Sequence, residues 1–327
     1  MPVLLIVIIA IALIFDFLNG FHDSSNIVAT MISSRAMSPR SALSMSAVAH
    51  FVGPFLFGVA VATTIGSEVV DPAAITSAVI IAALSSAILW NLFTWYFGWP
   101  SSTSHALIGG LVGAVAVSAG LETINLDGLM KVLIALFLSP ILGLVLGYLL
   151  LKLIYFLARG ATPRVNTLFK RGQWATSLAL ALSHGTNDAQ KTMGIIAMAM
   201  VTTGFADEFH VPWWVVVLSA SAIALGTLSG GWRLIETLGG KFFKIRPVHA
   251  FGSQLTSASV ILGAALLGGP VSTTQVVSSS ILGAGSADRV SKVRWTVARD
   301  IAVAWLLTIP VSALMAAGFV LLVDMVV

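Results

Sequence analysis

The sequence predicts an all-α integral membrane protein built as two inverted repeats with broken helices. Three observations predict it. Of 327 residues, 57% are hydrophobic and only 9% are charged, against about 25% charged in an ordinary soluble domain. Long apolar stretches recur along the whole chain. Two polar motifs occur twice, in the same order. The mean hydropathy of +0.99 leaves lipid as the solvent, and the 29 glycines fit membrane helices.

A spanning helix needs about 20 apolar residues. The apolar stretches cover 2–32, 40–62, 72–97, 104–119 and 129–157, then 174–202, 212–229, 250–268, 274–285 and 297–327. That is roughly ten segments, five on each side of a basic stretch. The expected division is a first repeat over 1–158, a cytoplasmic linker over 159–173 and a second repeat over 174–327. Barrel strands would be half as long and would alternate in polarity. The N-terminus lacks a basic region and a small-residue cleavage site, so it is expected to be a retained first span rather than a signal peptide.

Basic residues gather at Arg35 and Arg40, 152–171, 233–246 and 289–299. Acidic residues gather at Glu68/Asp71, Glu122/Asp127 and Asp207/Glu208. The positive-inside rule places the basic set in the cytoplasm. With five segments per half, both termini are expected outside and the halves are opposite in orientation. The net charge of +4 is therefore an orientation signal, not one for nucleic acid. Without cysteines, disulfides and thiolate chemistry are excluded. No P-loop or HExxH motif is present, so neither ATP hydrolysis nor a zincin site is signalled, and no cofactor is expected.

GFHDSSN at 20–26 aligns with GTNDAQK at 185–191, and PSSTSH at 100–105 with PVSTTQ at 270–275. Two motifs in one order, in halves of opposite orientation, follow the inverted-repeat plan of secondary transporters, with a site near the midplane. Asp23 and Asp188 each lie inside an apolar stretch of about 30 residues. As a helix such a stretch would be about 45 Å long, more than the ~30 Å hydrocarbon core. Breaks are therefore expected at Asn19-Gly20 and His184-Gly185. A carboxylate in lipid costs at least ~2.5–3.5 kcal/mol and marks a cavity with a partner. The plainer reading is an aspartate that only caps a half-helix. Asp23, Asp188, Asn187 and His50 are the expected residues of a coupling-ion site, and Asp23 and Asp188 those for a metal.

The second motif starts a helix with proline followed by Ser/Thr, which suits the first turn and the N-cap. Free N–H groups, hydroxyls and the positive dipole end make an anion site. Ser102, Thr103 and Ser104, opposed by Ser272, Thr273, Thr274 and Gln275, could clasp one tetrahedral oxyanion. Ordinary helix capping is the alternative. Asn26 and Lys191, each three residues beyond an aspartate, complete the expected substrate set. Lys191 could instead snorkel to the interface. Asp16, Asp300 and Asp324 have no counterpart in the other half and are set aside, with Asp300 read as an interfacial partner of Arg299. The stretch 230–241 is amphipathic and basic and is expected on the cytoplasmic surface.

With these motifs the sequence resembles the PiT family of inorganic phosphate transporters, whose hallmark is a repeated Gly-Ala-Asn-Asp-type motif. WNLFTWYFGWPSSTSH at 90–105 is similar to that family's tryptophan-rich run into its Ser/Thr-His motif. The resemblance covers almost the whole chain, and its wording is closer to the bacterial low-affinity branch. It implies a dimeric symporter in the cell membrane of a prokaryote, importing phosphate, alone or as a metal complex. Sodium-coupled members carry glutamates near His50 and Gln254, so protons are the expected coupling ion and sodium the alternative. A sulfate or other oxyanion carrier, an intramembrane Ser/His/Asp hydrolase and a passive channel remain rival readings.

Overall fold

The computed structural model describes residues 1–70 and 74–323, the side chain of Ser67 excepted. Asp71 and Asp324 lie outside the described residues. Twelve helices follow in order: α1 Val3–Ser33, α2 Pro39–Val52, α3 Ala60–Thr63, α4 Ser77–Phe97, α5 Thr103–Ser118 and α6 Leu126–Leu157 come first. Then come α7 Val165–Thr202, α8 Trp213–Ser229, α9 Trp232–Glu236, α10 Pro247–Leu266, α11 Thr273–Asp288 and α12 Trp295–Val323. The only pairing of extended backbone among the described residues is one isolated bridge, Val70 to Ile124.

The last six helices repeat the landmarks of the first six. Both α3 and α9 run into a π turn, Thr64–Glu68 and Thr237–Lys241. Both α5 and α11 have 16 residues and a serine N-cap. Both α6 and α12 carry an internal proline, Pro140 and Pro310. The packing crosses between halves: α6 lies against α11, and α5 against α12. Small residues allow this close contact, as membrane helix pairs require. A Cβ on Gly113 would stand 2.2 Å from the Ala313 carbonyl oxygen, and one on Gly283 2.2 Å from that of Leu144. The outer faces of α6 and α12 expose leucines such as Leu149 and Leu314, the surface a bilayer would wet.

Four helices, α1, α4, α6 and α12, are long and apolar enough to cross a membrane, or six spans if each bent pair is one. Among the described residues the expected ten segments become twelve helices because 40–62 divides into α2 and α3, and α9 forms in the stretch 230–241, outside the ten. The breaks are not where the carboxylates suggested. Both α1, with 31 residues, and α7, with 38, run unbroken through Asn19-Gly20 and His184-Gly185. Those glycines are contact points instead: a Cβ on Gly20 would meet the Ile223 oxygen at 2.1 Å, and one on Gly185 the His50 oxygen at 2.6 Å. Ser25 donates back to the His22 carbonyl at 2.7 Å, a local bond that α1 accommodates without a break. The excess length is taken up outside the apolar core, since α7 begins at Val165, within the basic stretch. The real bends are 71° between α2 and α3 and 64° between α8 and α9, the second at Gly230 with φ 70°.

The amphipathic stretch 230–241 packs its apolar side on protein and leaves Trp232, Arg233, Glu236, Gly240 and Lys241 exposed. Leu234, Ile235 and Leu238 are buried, and Ser33 on α1 donates to the Gly239 carbonyl at 2.6 Å. Its apolar stripe finds protein rather than lipid. Arg299 and Asp300 form an exposed pair at 3.4 Å, as expected for an interface.

Candidate functional site

The two long central helices bring one polar stripe each into the interior. In α1 this stripe is Asp16, Asn19, Asp23, Asn26 and Thr30, all at most 1% exposed. Its spacing of three, four, three and four residues keeps one face. In α7 the corresponding run is His184, Asn187, Asp188 and Lys191, fully buried. The N-termini of α5 and α11 reach these stripes from the other side of the protein.

Their capping serines are already engaged. Ser102 accepts from the His105 N–H at 3.1 Å and lies 2.7 Å from the His105 ring Nδ1. Ser272 accepts from the Gln275 N–H at 3.3 Å. The first-turn N–H groups of Thr103, Ser104, Thr273 and Thr274 have no carbonyl a turn behind them. Thr273 and Thr274 donate to the Asp23 carboxylate at 3.2 and 3.0 Å. Asn26 donates to Asp23 at 2.5 Å and to Thr274 at 3.1 Å. In α5, Thr103 donates to the Asn19 side-chain oxygen at 2.7 Å. Ser104 donates to the Val271 carbonyl at 3.0 Å, and Lys191 to the same oxygen at 3.3 Å. The α11 start thus holds Asp23, while the α5 start reaches Asn19 and shares the Val271 carbonyl with Lys191.

Asp188 has two partners, the ammonium of Lys191 and the His184 ring at 3.3 Å. Asn187 donates to the Gly269 carbonyl at 3.2 Å, just before α11. Gln275 lies 3.5 Å from the His105 ring nitrogen. His50 stands outside this centre: its ring stacks on His184 at 5.9 Å, and its Nδ1 lies 2.7 Å from the Thr227 hydroxyl. Gln254 is a strut, donating to Thr30 at 2.8 Å and accepting from Thr176 at 2.7 Å. Asp23, His184 and Asp188 each offer one ligand atom, all within 4.8 Å of one another. A nitrogen and two carboxylate oxygens suit a divalent transition ion as well as a hard cation. From Ser101 to Ser104 and from Ser272 to Gln275, no residue is more than 5% exposed, so the centre is closed in this conformation.

Sequence reasoning missed His184 as a partner of Asp188, although the four-residue spacing puts both on one helix face. It also set Asp16 aside. The structure corrects this: Asp16 is fully buried, on the same face as Asp23.

A model of the phosphate transporter family matches residues 19–316. The chain belongs to the phosphate transporter family. This is a family of transporters, not enzymes, and the chain is a multi-pass membrane protein. It is 44% identical to a protein of Bacillus subtilis (strain 168) named "Probable low-affinity inorganic phosphate transporter", with 99% of this chain and 98% of that one covered. It is 46% identical to a protein of the same description from Rhizobium meliloti (strain 1021), covering 96% and 95%. Among solved structures it is similar to "The sodium-dependent phosphate transporter", with a TM-score of 0.89 over 100% of both chains and 23% identity. That likeness concerns the fold.

Proposed function

We propose that this phosphate transporter family member imports inorganic phosphate by cation symport, with protons as the driving ion. The observation that carries the reading is that two serine-capped helix starts meet in one closed, buried centre, α11 holding Asp23 and α5 sharing the Val271 carbonyl with Lys191. Phosphate sits between α5 and α11. It takes the first-turn N–H groups and the hydroxyls of Thr103, Ser104, Thr273 and Thr274, with Asn26, Lys191 and Gln275 at its edge. Preorganised donors and two positive dipole ends replace its hydration shell. Asp23 accepts the hydrogen bond of a protonated phosphate oxygen, which a fully deprotonated sulfate cannot donate.

The coupling cation belongs to Asp23 and Asp188, oriented by Asn187 and His184, with His50 stacked behind. The Asp23, His184 and Asp188 trio also suits a divalent metal carried with phosphate as cargo. Lys191 already neutralises one of the two carboxylates. His50 and Gln254 replace glutamates of the sodium-coupled relatives that the sequence resembles, which favours protons over sodium. Repeats over 1–158 and 174–327, joined by the basic linker 159–173, move about this centre in opposite orientation. The repeated landmarks of α1–α6 and α7–α12 support that division. In the bacterial inner membrane both termini then face outside, and the transporter works as a homodimer.

Phosphate uptake into proteoliposomes tests this. An inward proton gradient without sodium should accumulate phosphate above its external level, and an ionophore should abolish the accumulation. Accumulation that requires sodium and ignores the proton gradient would refute the choice of ion. No phosphate uptake under either gradient would refute the substrate.

A further inference from the structure

Among the described residues, Asp16 is the one fully buried carboxylate that the proposed centre does not use. It lies two helix turns before Asp23 on the same face of α1 and is 0% exposed. Neither of its oxygens has a hydrogen-bond partner among the described residues. Its polar neighbours are the Thr192 hydroxyl and the Asn19 side chain. The hydroxyl of Thr192 and the amide nitrogen of Asn19 are likewise unpartnered. Three orphaned polar groups therefore share one buried spot beside the centre. Asn19 also touches the centre itself, by accepting from Thr103 at 2.7 Å.

The charge balance decides what Asp16 does. The nearest ionised groups are Asp188 and Lys191 of α7. Lys191 is held by Asp188 and by the Val271 carbonyl, so it does not neutralise Asp16. Asp23 accepts hydrogen bonds from Asn26, Thr273 and Thr274, and Asp188 is ion-paired with Lys191. Asp16 has no ion-pair partner, only the neutral side chains of Thr192 and Asn19 beside it, and a carboxylate left charged there, away from water, is costly. A metal or sodium ion would find only two neutral side chains beside it, too few for the oxygen shell a hard cation takes. A proton needs no shell. The other titratable groups on elements packed against α1 are its own His22, Arg40 and His50 of α2, Tyr96 of α4, Lys170, Arg171 and His184 of α7, Arg233 and Glu236 of α9, Lys241, His249 of α10 and Asp288 of α11; α8 brings none.

We propose that Asp16, flanked by Asn19 and Thr192, is a proton-binding site distinct from the Asp23–Asp188 pair and carries the coupling proton. This rests on the proton-coupled reading above. Asn19 links the site to the helix start that holds phosphate: release of the proton leaves a charged Asp16 that draws the Asn19 amide and loosens its contact with Thr103. Proton loss and phosphate release are thereby tied together.

Two measurements on the purified full chain test it. Infrared difference spectra should contain the carbonyl stretch of a protonated buried carboxyl at neutral pH, and Asp16→Asn should remove that band. In proteoliposomes, one pH unit of gradient acting through one proton supports about tenfold accumulation, a tenfold ratio being one unit of proton free energy. Asp16→Asn, the isostere of the neutral acid, should lose that factor of about ten and flatten the pH profile, and Asp16→Glu should restore part of both. A band that survives Asp16→Asn, or accumulation with an unchanged pH profile in that variant, would overturn the proposal. If wild-type uptake ignores the proton gradient, the transport role falls with the choice of ion, while the infrared band separately decides whether Asp16 holds a proton.

Discussion

Lys191→Met should destabilise the protein more than any single change at an exposed charge. Lys191 and Asp188 are both 0% exposed and are three residues apart on α7. Removing the ammonium leaves Asp188 charged in the interior with only the His184 ring, 3.3 Å away. Asp23 lies close enough to share a cation with it, so the two carboxylates then repel each other. Breaking a buried pair in this way costs about 3–5 kcal/mol. The exposed Arg299–Asp300 pair, by contrast, is worth at most about 1 kcal/mol. Combining Lys191→Met with Asp188→Asn removes both charges and should recover much of the loss, with a coupling of up to about 3 kcal/mol. The assay is denaturant unfolding of the four proteins of this cycle in detergent, followed by tryptophan fluorescence. A Lys191→Met protein within about 1 kcal/mol of wild type, or strictly additive losses in the double variant, would refute the buried pair.

Asp23→Asn should fold normally, because an amide still accepts from Thr273 or Thr274, and should lose gradient-driven uptake in proteoliposomes. Thr273→Val with Thr274→Val should weaken phosphate binding in calorimetry. Each lost hydrogen bond to a charged group is worth about 1.5–3 kcal/mol, so binding equal to wild type would exclude these hydroxyls from the anion site. Gly283→Val should lower thermal stability, because its Cβ meets the Leu144 oxygen at 2.2 Å and overpacking costs typically about 1–3 kcal/mol. Gly113→Val should do the same through Ala313, and an unchanged melting temperature in either would contradict the close crossing.

Much of this was legible in the residues. Hydrophobicity alone required membrane helices, and the repeated motifs led to Asp23, Asp188 and the two Ser/Thr starts that the structure brings together. The break positions were not legible. A polar residue in an apolar stretch reads as a discontinuity, but Gly20 and Gly185 turned out to be seats for the backbones of α8 and α2. That depends on tertiary packing, which no local pattern reports. The bend at 53–60 was hidden inside a stretch apolar enough to pass as a straight span, whereas the one at 230–231 falls just past the end of the expected segment 212–229. Asp16 was overlooked for a different reason. Its counterpart was sought in the other half, whereas its polar neighbours are Thr192 on α7 and Asn19 on its own helix face, where the spacing Asp16, Asn19, Asp23, Asn26, Thr30 was already visible. The packing of Leu234, Ile235 and Leu238 on protein was not legible, because an amphipathic helix has the same pattern on lipid as on protein.

The position of phosphate tests the central claim most directly. A structure of the protein saturated with phosphate should show a tetrahedral anion between the first turns of α5 and α11, within hydrogen-bond reach of Thr273, Thr274 and Lys191. Density for phosphate elsewhere, with Thr273 and Thr274 still bonded to Asp23, would contradict it.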